Sequence, residues 1–411
     1  MIAHYLKLVW NRRRVNGLIL VEILVSFLVL CAVFGVMAYY ATNWRRPLGF
    51  DYHDVWTLDL EMPQAALDDR EANARALATS QHLFTMLRDD PQVESVAPMP
   101  NTPYSGSMSR RGIRLRDGSM VQYLSSPTTP EALDVLRLDL VAGRWLEPGD
   151  EALEFTPQVI TQDLARRLFG REDPIGRTIE GFDEKGQPET VRESWQVLRV
   201  VGVIRNYRKS GEFADMRYAA FYPQSFTNPT RGYAPWSYVI RASPGTQAAF
   251  EERLLKPLRA EAPEWTFGLR SVELERQRYI RGRLLPLVFG GTLAGFLILM
   301  VGMGLVGVLW QNVTRRTQEL GLRRALGATA SAVRNQIIGE IVVLTVIALF
   351  IGTVLFLQLP LLGVLSFVGF GVFVSAIVAS SLVIVPFVIA CGLYPGWLAT
   401  QVEPSQALQY E

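Results

Sequence analysis

Residues 315–334 read RRTQELGLRRALGATASAVR and lie between two long apolar runs. The stretch carries Arg315, Arg316, Arg323, Arg324 and Arg334 against one acid, Glu319. Short loops this rich in Arg stay on the cytoplasmic side of a membrane. Glu319 and Arg323 are four apart with the acid first, the favourable order on a helix. Leu322, Ala325 and Leu326 give that short helix an apolar side. Gly327 is placed to stop it, and Thr329 or Ser331 to cap the next helix. Two readings fit these residues: a positive-inside loop that fixes topology, or a docking helix for a cytoplasmic partner. Both make the chain a multi-span membrane protein.

Working outward, the apolar runs give four transmembrane helices at 15–40, 284–310, 337–357 and 368–393, with residues 311–334 as the cytoplasmic loop between the second and third. The first would be roughly 39 Å long, enough to cross with some tilt. It lacks the short apolar core and small-x-small site of a signal peptide and reads as a permanent anchor. Glu22, two turns inside it, is a costly intramembrane carboxylate assigned to helix packing. Gly291, Gly295 and Gly302 share a face of the second span, where small residues let another helix approach closely. Glu340 lies near the cytoplasmic end of the third span, and Pro386 is a kink signal in the fourth. Residues 1–14 have an amphipathic pattern. They fit a helix in the headgroup region of the membrane lipid, or an inward extension of the first span. Arg12, Arg13 and Arg14 anchor that end in the cytoplasm, so both termini are expected there and residues 41–283 on the far side.

The ends of that large soluble segment look alike. Alternating residues 55–62, a helical stretch at 69–87 and strand-like 93–97 are mirrored by strand-like 238–242, helical 247–260 and strand-like 265–272. Two such units suggest one α+β subdomain closing on itself. The intervening part, about 104–232, reads as a β-rich insertion. Its strands at 112–115 and 120–124 flank Asp117-Gly118, a hairpin signal, and 178–182 and 195–203 flank a polar turn at Lys185-Gly186.

The segment Glu319-Leu320-Gly321-Leu322-Arg323-Arg324-Ala325-Leu326-Gly327-Ala328 resembles the coupling motif of the FtsX/MacB superfamily of ABC transporter permeases. Tyr394-Pro395, Trp397, Pro404, Ala407-Leu408 and Glu411 in the tail, residues 394–411, resemble the same family, although Gln409 stands where a basic residue is common. Gly143-Arg144-Trp145, the run from Leu164 to Gly176 (LARRLFGREDPIG) and Val200-Val201-Gly202-Val203 resemble the periplasmic core domain of MacB-type permeases. The resemblance implies a porter-like subdomain at about 51–103 and 233–275 with an inserted sabre-like subdomain at about 104–232. It further implies an ABC ATPase subunit seated on Glu319 to Ala328, and a second permease, identical or related. ATP and Mg would be bound by that ATPase. A periplasmic adaptor and an outer-membrane exit duct are further partners of such assemblies. Substrate export or efflux, driven by motion passed through the membrane helices of an inner-membrane protein, is the function implied. Two alternatives of the same family are a signalling or hydrolase-activating protein without cargo, as in FtsX, and a lipoprotein-release permease.

Composition narrows the classes. The chain is 49% hydrophobic and 19% charged, below the charge of an average soluble domain, as a mixed membrane and soluble protein requires. A net charge of +2 and no basic stripe interleaved with aromatics argue against nucleic acid. The sequence has no GxxxxGK[ST] phosphate loop, no HExxH and no Gly-x-Ser-x-Gly elbow, and its three histidines, His4, His53 and His82, are scattered. Asp150, Glu151 and Glu154 read as solvated acids near a turn. No catalytic residue is predicted. The two cysteines, Cys31 and Cys391, lie in apolar runs, so the soluble segment must hold together through its own core. A sensor receptor would need a cytoplasmic output domain, for which the cytoplasmic segments are too short.

Overall fold

The computed structural model describes residues 13–63, 70–183, 185–190, 192–193, 196–214, 218–224, 234–245, 249–315, 329–365 and 368–398. The expected amphipathic helix, apart from its last two residues, the coupling motif at 319–328 and the tail beyond residue 398 lie outside them. The chain divides into two compact units, residues 43–282 and, from both chain ends, 1–42 with 283–411.

Helix α1 (Arg13–Trp44) comes first and is followed by the soluble unit. There β1 (Val55–Glu61), α2 (Arg70–Arg88) and β2 (Val93–Pro98) form the first strand–helix–strand unit. A β-rich stretch follows: β3 (Arg110–Arg114), β4 (Met120–Thr128), the short helix α3 (Ala132–Leu136), β5 (Leu140–Gly143), β6 (Phe155–Thr161), helix α4 (Gln162–Phe169), β7 (Glu180–Phe182), β8 (Pro188–Thr190), β9 (Arg192–Glu193), β10 (Gln196–Ile204) and β11 (Ala219–Pro223). Then β12 (Ser237–Ala242), α5 (Ala249–Glu261) and β13 (Thr266–Ser271) repeat the opening pattern. Helices α6 (Val272–Arg315), α7 (Ala330–Leu361) and α8 (Phe370–Leu398) are the last of the described elements.

The two strand–helix–strand units share one antiparallel sheet of order β13-β1-β12-β2. β12 lies between β1 and β2, so this is a split βαβ arrangement. Alternation along β1 explains it: Leu58 and Leu60 enter a core with Leu83 and Leu87 of α2 and Phe250, Leu254 and Leu258 of α5, while Val55 enters a second core on the opposite face. All six residues of β12 are buried, as a central strand covered on both faces requires.

The second sheet runs β3-β4-β11-β6-β10-β5, with β9 on β10, and mixes parallel and antiparallel pairs. One face packs with α4 through Ile160, Leu164, Leu198 and Val200. The other contributes Leu124, Val159, Ile204 and Phe221 to the core that holds Val55 and Val239 of the first sheet. The Asp117-Gly118 hairpin forms as predicted, with Arg114 opposite Met120. The hairpin at Lys185-Gly186 differs. β7 pairs with β8 across that turn, and residues 176–179 run beside β10, with Thr178 bridging to Arg199, the Ile179 N–H donating to the Leu198 carbonyl and the Val200 N–H to the Arg177 carbonyl. Along its length β10 pairs instead in parallel with β6, and its other side is shared by β9, Thr178 and the short β5.

Among the described residues four helices are long and apolar enough to cross a membrane: Gly17–Trp44, Val272–Gln311, Arg334–Leu361 and Phe370–Pro395. The main difference from the predicted span of 284–310 is the start of α6, which continues unbroken from Val272. Residues 272–283 are too charged to show as part of an apolar run. They are still good helix formers, and Glu273 and Glu275 suit the positive end of the helix dipole.

Candidate coupling site

The described residues on either side of the 315–334 stretch form a defined frame. On the entering side, the Trp310 ring of α6 stacks on Tyr394 of α8 with centroids 6.5 Å apart, and Tyr394 in turn lies 6.4 Å from Trp397. Two of the aromatic residues singled out in the tail therefore brace the end of the helix that leads into the loop. On the leaving side Thr329 caps α7, its hydroxyl accepting from the Ala332 N–H at 3.3 Å. One turn further on, Gln336 donates to Glu340 at 3.5 Å. The residues between, Glu319, Gly321, Leu322, Arg323, Arg324, Ala325, Leu326, Gly327 and Ala328, lie outside the described set.

The predicted packing residues separate along α6. Gly302 is buried, and a Cβ there would meet the Phe387 ring of α8 at 2.9 Å and Cys391 Sγ at 3.6 Å. Gly291 and Gly295 share its face by helical spacing, but among the described residues nothing lies within 4 Å of a Cβ built on either. Glu22 of α1 sits against Gly304 of α6, its Oε2 2.8 Å from where a Cβ would be. Gly304 carries no side chain, and that leaves room for the carboxylate. The sequence reading named Glu22 and missed Gly304, which breaks the four- and seven-residue spacing of the other three.

A model of the MacB-like periplasmic core domain matches residues 29–256, more than half of the chain, and a model of the FtsX-like permease C-terminal region matches residues 291–404. The chain belongs to the MacB/FtsX-type family of ABC transporter permeases. It is similar to the uncharacterized ABC transporter permease YknZ of Bacillus subtilis (strain 168), 24% identical over 68% of each chain. It is also similar to the macrolide export ATP-binding/permease protein MacB of Chlorobium luteolum, 27% identical over 66% of this chain. That match spans only 40% of the relative's length. Among solved structures, the periplasmic region of MacB from Actinobacillus actinomycetemcomitans aligns with 58% of this chain and 97% of its own, at 16% identity and a TM-score of 0.38.

In this permease the residues of the periplasmic domain that carry the family resemblance are structural. Gly143 and Gly202 are register partners on β5 and β10. A Cβ on Gly202 would collide with the Arg144 carbonyl, and one on Gly143 with the Val201 carbonyl. Gly143 also takes a positive φ of 71°. Arg144 then forms a two-pronged pair with Asp150, at 2.9 and 2.7 Å. The Trp145 indole N–H donates to the Pro130 carbonyl at 2.9 Å. Asp150 is therefore not the solvated acid that the sequence reading expected. It is buried, and its carboxylate also accepts the Glu147 N–H. Asp183 does what a turn residue should, accepting from the N–H groups of Lys185 and Gln187.

Sequence reasoning missed the most heavily engaged charged residues of the domain. Arg208, Lys209 and Glu212 are all buried, in the loop that follows β10. Burial, with Arg110 nearby, pulls the Lys209 ammonium down to a pKa of about 8. Its Nζ donates to the Ser105 carbonyl at 2.8 Å and to the Ser107 carbonyl. Nothing local marks them: Asn206 to Phe213 reads NYRKSGEF, the composition of a solvated turn.

Proposed function

We propose that this permease works in a mechanotransmission-type ABC transporter. In this reading ATP is hydrolysed by an ABC ATPase on a separate subunit, which also holds Mg, and the work drives substrate export on the periplasmic side. The observation that carries it is α6, a single 44-residue helix from Val272, at the last strand of the periplasmic domain, to Arg315, at the first residue of the Arg-rich stretch. A continuous helix transmits displacement along its length, because each turn is hydrogen-bonded to the next. The ATPase sits on Glu319 to Ala328. Glu319, Arg323 and Arg324 make its charged contacts, Leu322 and Leu326 fill a groove, and Gly321, Ala325, Gly327 and Ala328 keep the helix slim and end it. The four-stranded sheet with its helices is the porter-like part and the larger sheet the sabre-like part. The assembly holds a second permease, the same chain or a related one, in the inner membrane. Both termini are cytoplasmic, and a periplasmic adaptor and outer-membrane duct receive the cargo. The export named for relatives such as MacB favours this over cargo-free signalling.

The test replaces Leu322 and Leu326 together by Asp. Copurification of the ATPase and transport-linked ATP hydrolysis should both fall at least tenfold while membrane insertion stays normal. Retention of both would reduce the Arg-rich stretch to a topology signal.

A further inference from the structure

The loop of residues 205–214 leaves β10, an interior strand of the larger sheet, and grips the two places where the periplasmic domain meets its flanking helices. Arg208 is its centre. One guanidinium nitrogen donates to the carbonyls of Asn43 and Arg46, at 3.0 and 2.8 Å. The other donates to the carbonyls of Glu212 and Ala214, at 2.7 and 2.8 Å. The Arg208 N–H adds a bond to the Leu48 carbonyl at 2.8 Å, and the Asn43 amide returns one to Phe213 at 3.4 Å. Asn43 and Trp44 are the last residues of α1, and the Trp44 ring lies 5.4 Å from Phe213.

The same loop holds the start of α6. Buried Glu212 accepts from Arg276 Nε at 2.5 Å and from the Tyr104 hydroxyl at 3.1 Å. Arg276 also lies over the Tyr52 ring at 4.5 Å. Phe213 stacks on Tyr279, with centroids 6.2 Å apart. Gly211 makes the close fit possible, with a φ of +80° and the rings of Tyr104 and Tyr279 at 2.6 and 2.9 Å from where a Cβ would be. Lys209 ties the loop to residues 105 and 107 of the larger sheet's own entry.

We propose that this loop is the fastening through which the larger sheet follows the ends of α1 and α6, with Arg208 and Glu212 as its positioning residues. The inference rests on the permease reading above and adds the residues that pass motion onward. β1 and β13, which are hydrogen-bonded neighbours, already place both helix ends beside the four-stranded sheet. The larger sheet has no such continuity with either helix. Its covalent links run through 99–109 and 224–236, to β2 and β12. Beyond the core that Val272 of α6 shares with Leu124, Val159 and Phe221, the loop after β10 supplies its hydrogen-bonded and ion-paired attachment to the helix ends. The chemistry suits a fastening better than a filler. Apolar residues of similar volume are as stable as buried charges in many folds, whereas a planar guanidinium fixed by four carbonyls tolerates little sliding.

The experiment compares wild type with Arg208→Lys and with Glu212→Gln in the full permease, copurified with its ATPase and placed in lipid nanodiscs. Arg208→Lys keeps the charge and loses the fork. Glu212→Gln keeps the shape and loses the charge. Hydrogen exchange is followed by mass spectrometry, without nucleotide and with ATP plus vanadate. In wild type, trapping nucleotide should alter exchange at the helix ends and in both sheets. In either variant the response of β5, β6 and β10 should fall by more than half, while that of β1 and β12 persists and nucleotide-free exchange in β6 stays as in wild type. A full response of the larger sheet in both variants overturns the fastening and leaves the permease reading intact. Raised nucleotide-free exchange throughout β6 and β10 also overturns it, since the loop would then be part of the fold alone. No ATPase copurifying with wild type would instead mean that the permease reading had failed.

Discussion

The membrane bundle and the periplasmic domain both use glycine to bring elements together, but what meets the glycine differs. In the domain the nearest neighbour of the most tightly placed glycines is backbone: the Arg144 carbonyl faces Gly202, the Val201 carbonyl faces Gly143 and the Asn206 carbonyl faces Gly49, whereas Gly211 meets the Tyr104 and Tyr279 rings. In the bundle it is the end of a side chain: the Phe387 ring at Gly302, the Glu22 carboxylate at Gly304, and Phe27 and Leu24 at Gly352. Backbone in a sheet cannot move without opening its ladder, whereas a ring or carboxylate can turn. The domain is held by register and the bundle by adjustable packing.

The largest effect is expected at Gly202. Gly202→Ala places a methyl against the Arg144 carbonyl and pushes β5 from β10, disturbing the Arg144–Asp150 pair and Trp145 beyond it. Overpacking of a well-packed core costs about 1–3 kcal/mol, occasionally more. With backbone as the obstacle, the cost should exceed about 3 kcal/mol. Thermal unfolding of the purified permease should show the domain transition lost or far below wild type. A domain transition within a few degrees of wild type would show that the sheet can yield, and the contrast drawn above would fail on the domain side.

A middle effect is expected at Gly352 of α7. Gly352→Ala meets Phe27 Cδ1 at 2.5 Å and Leu24 Cδ1 at 3.1 Å. Phe27 is fully buried, so its ring cannot simply swing into lipid. The cost should be about 1–2 kcal/mol, within the usual overpacking range, and borne by the contact of α1 with α7. Differential scanning of the detergent-solubilised protein would place it between wild type and Gly202→Ala. A loss as large as that of Gly202→Ala would mean the bundle is as unyielding as the sheet.

The same contrast explains what could be read from the sequence. The four-stranded sheet was legible because each half of it is local: alternation at 55–61, a helix, then a second short strand, repeated at 237–271. The four spans were legible from apolar length. The larger sheet was legible only as β-rich. β5 is four residues with little alternation, and β11 is found through its partners β4 and β6 rather than through its own pattern. Arg208, Lys209 and Glu212 were illegible because burial of a charge depends on distant acceptors, here Asn43, Arg46, Ser105 and Ser107. Asp150 was misread for a nearer reason, since its burial follows from Arg144, six residues earlier, folding back onto it. On α6 the glycine spacing was visible, but spacing says that something can approach and not what does.

Gly295 is expected to give the smallest effect on the chain and the most informative. Gly295 lies on an exposed stretch of α6 with Leu285, Val288, Phe289, Leu293, Phe296 and Leu299. A Cβ on Gly295 meets none of the described residues within 4 Å, so in Gly295→Leu the stability of the single permease should stay within about 0.5 kcal/mol of wild type. Lipid tails are as apolar as Leu and give the substitution no penalty of their own. A neighbouring permease would, because two backbones that approach over Gly291 and Gly295 cannot do so over a leucine. The pair is therefore expected to weaken by about tenfold or more in intermolecular cross-linking within native membranes, with monomer unfolding unchanged. Unchanged cross-linking and activity would assign this face to lipid and leave Gly302 as the one member of the three with a packing role. A fall in monomer stability would instead show that Gly295 is met by this chain's own helices and that the open face of α6 has been misplaced.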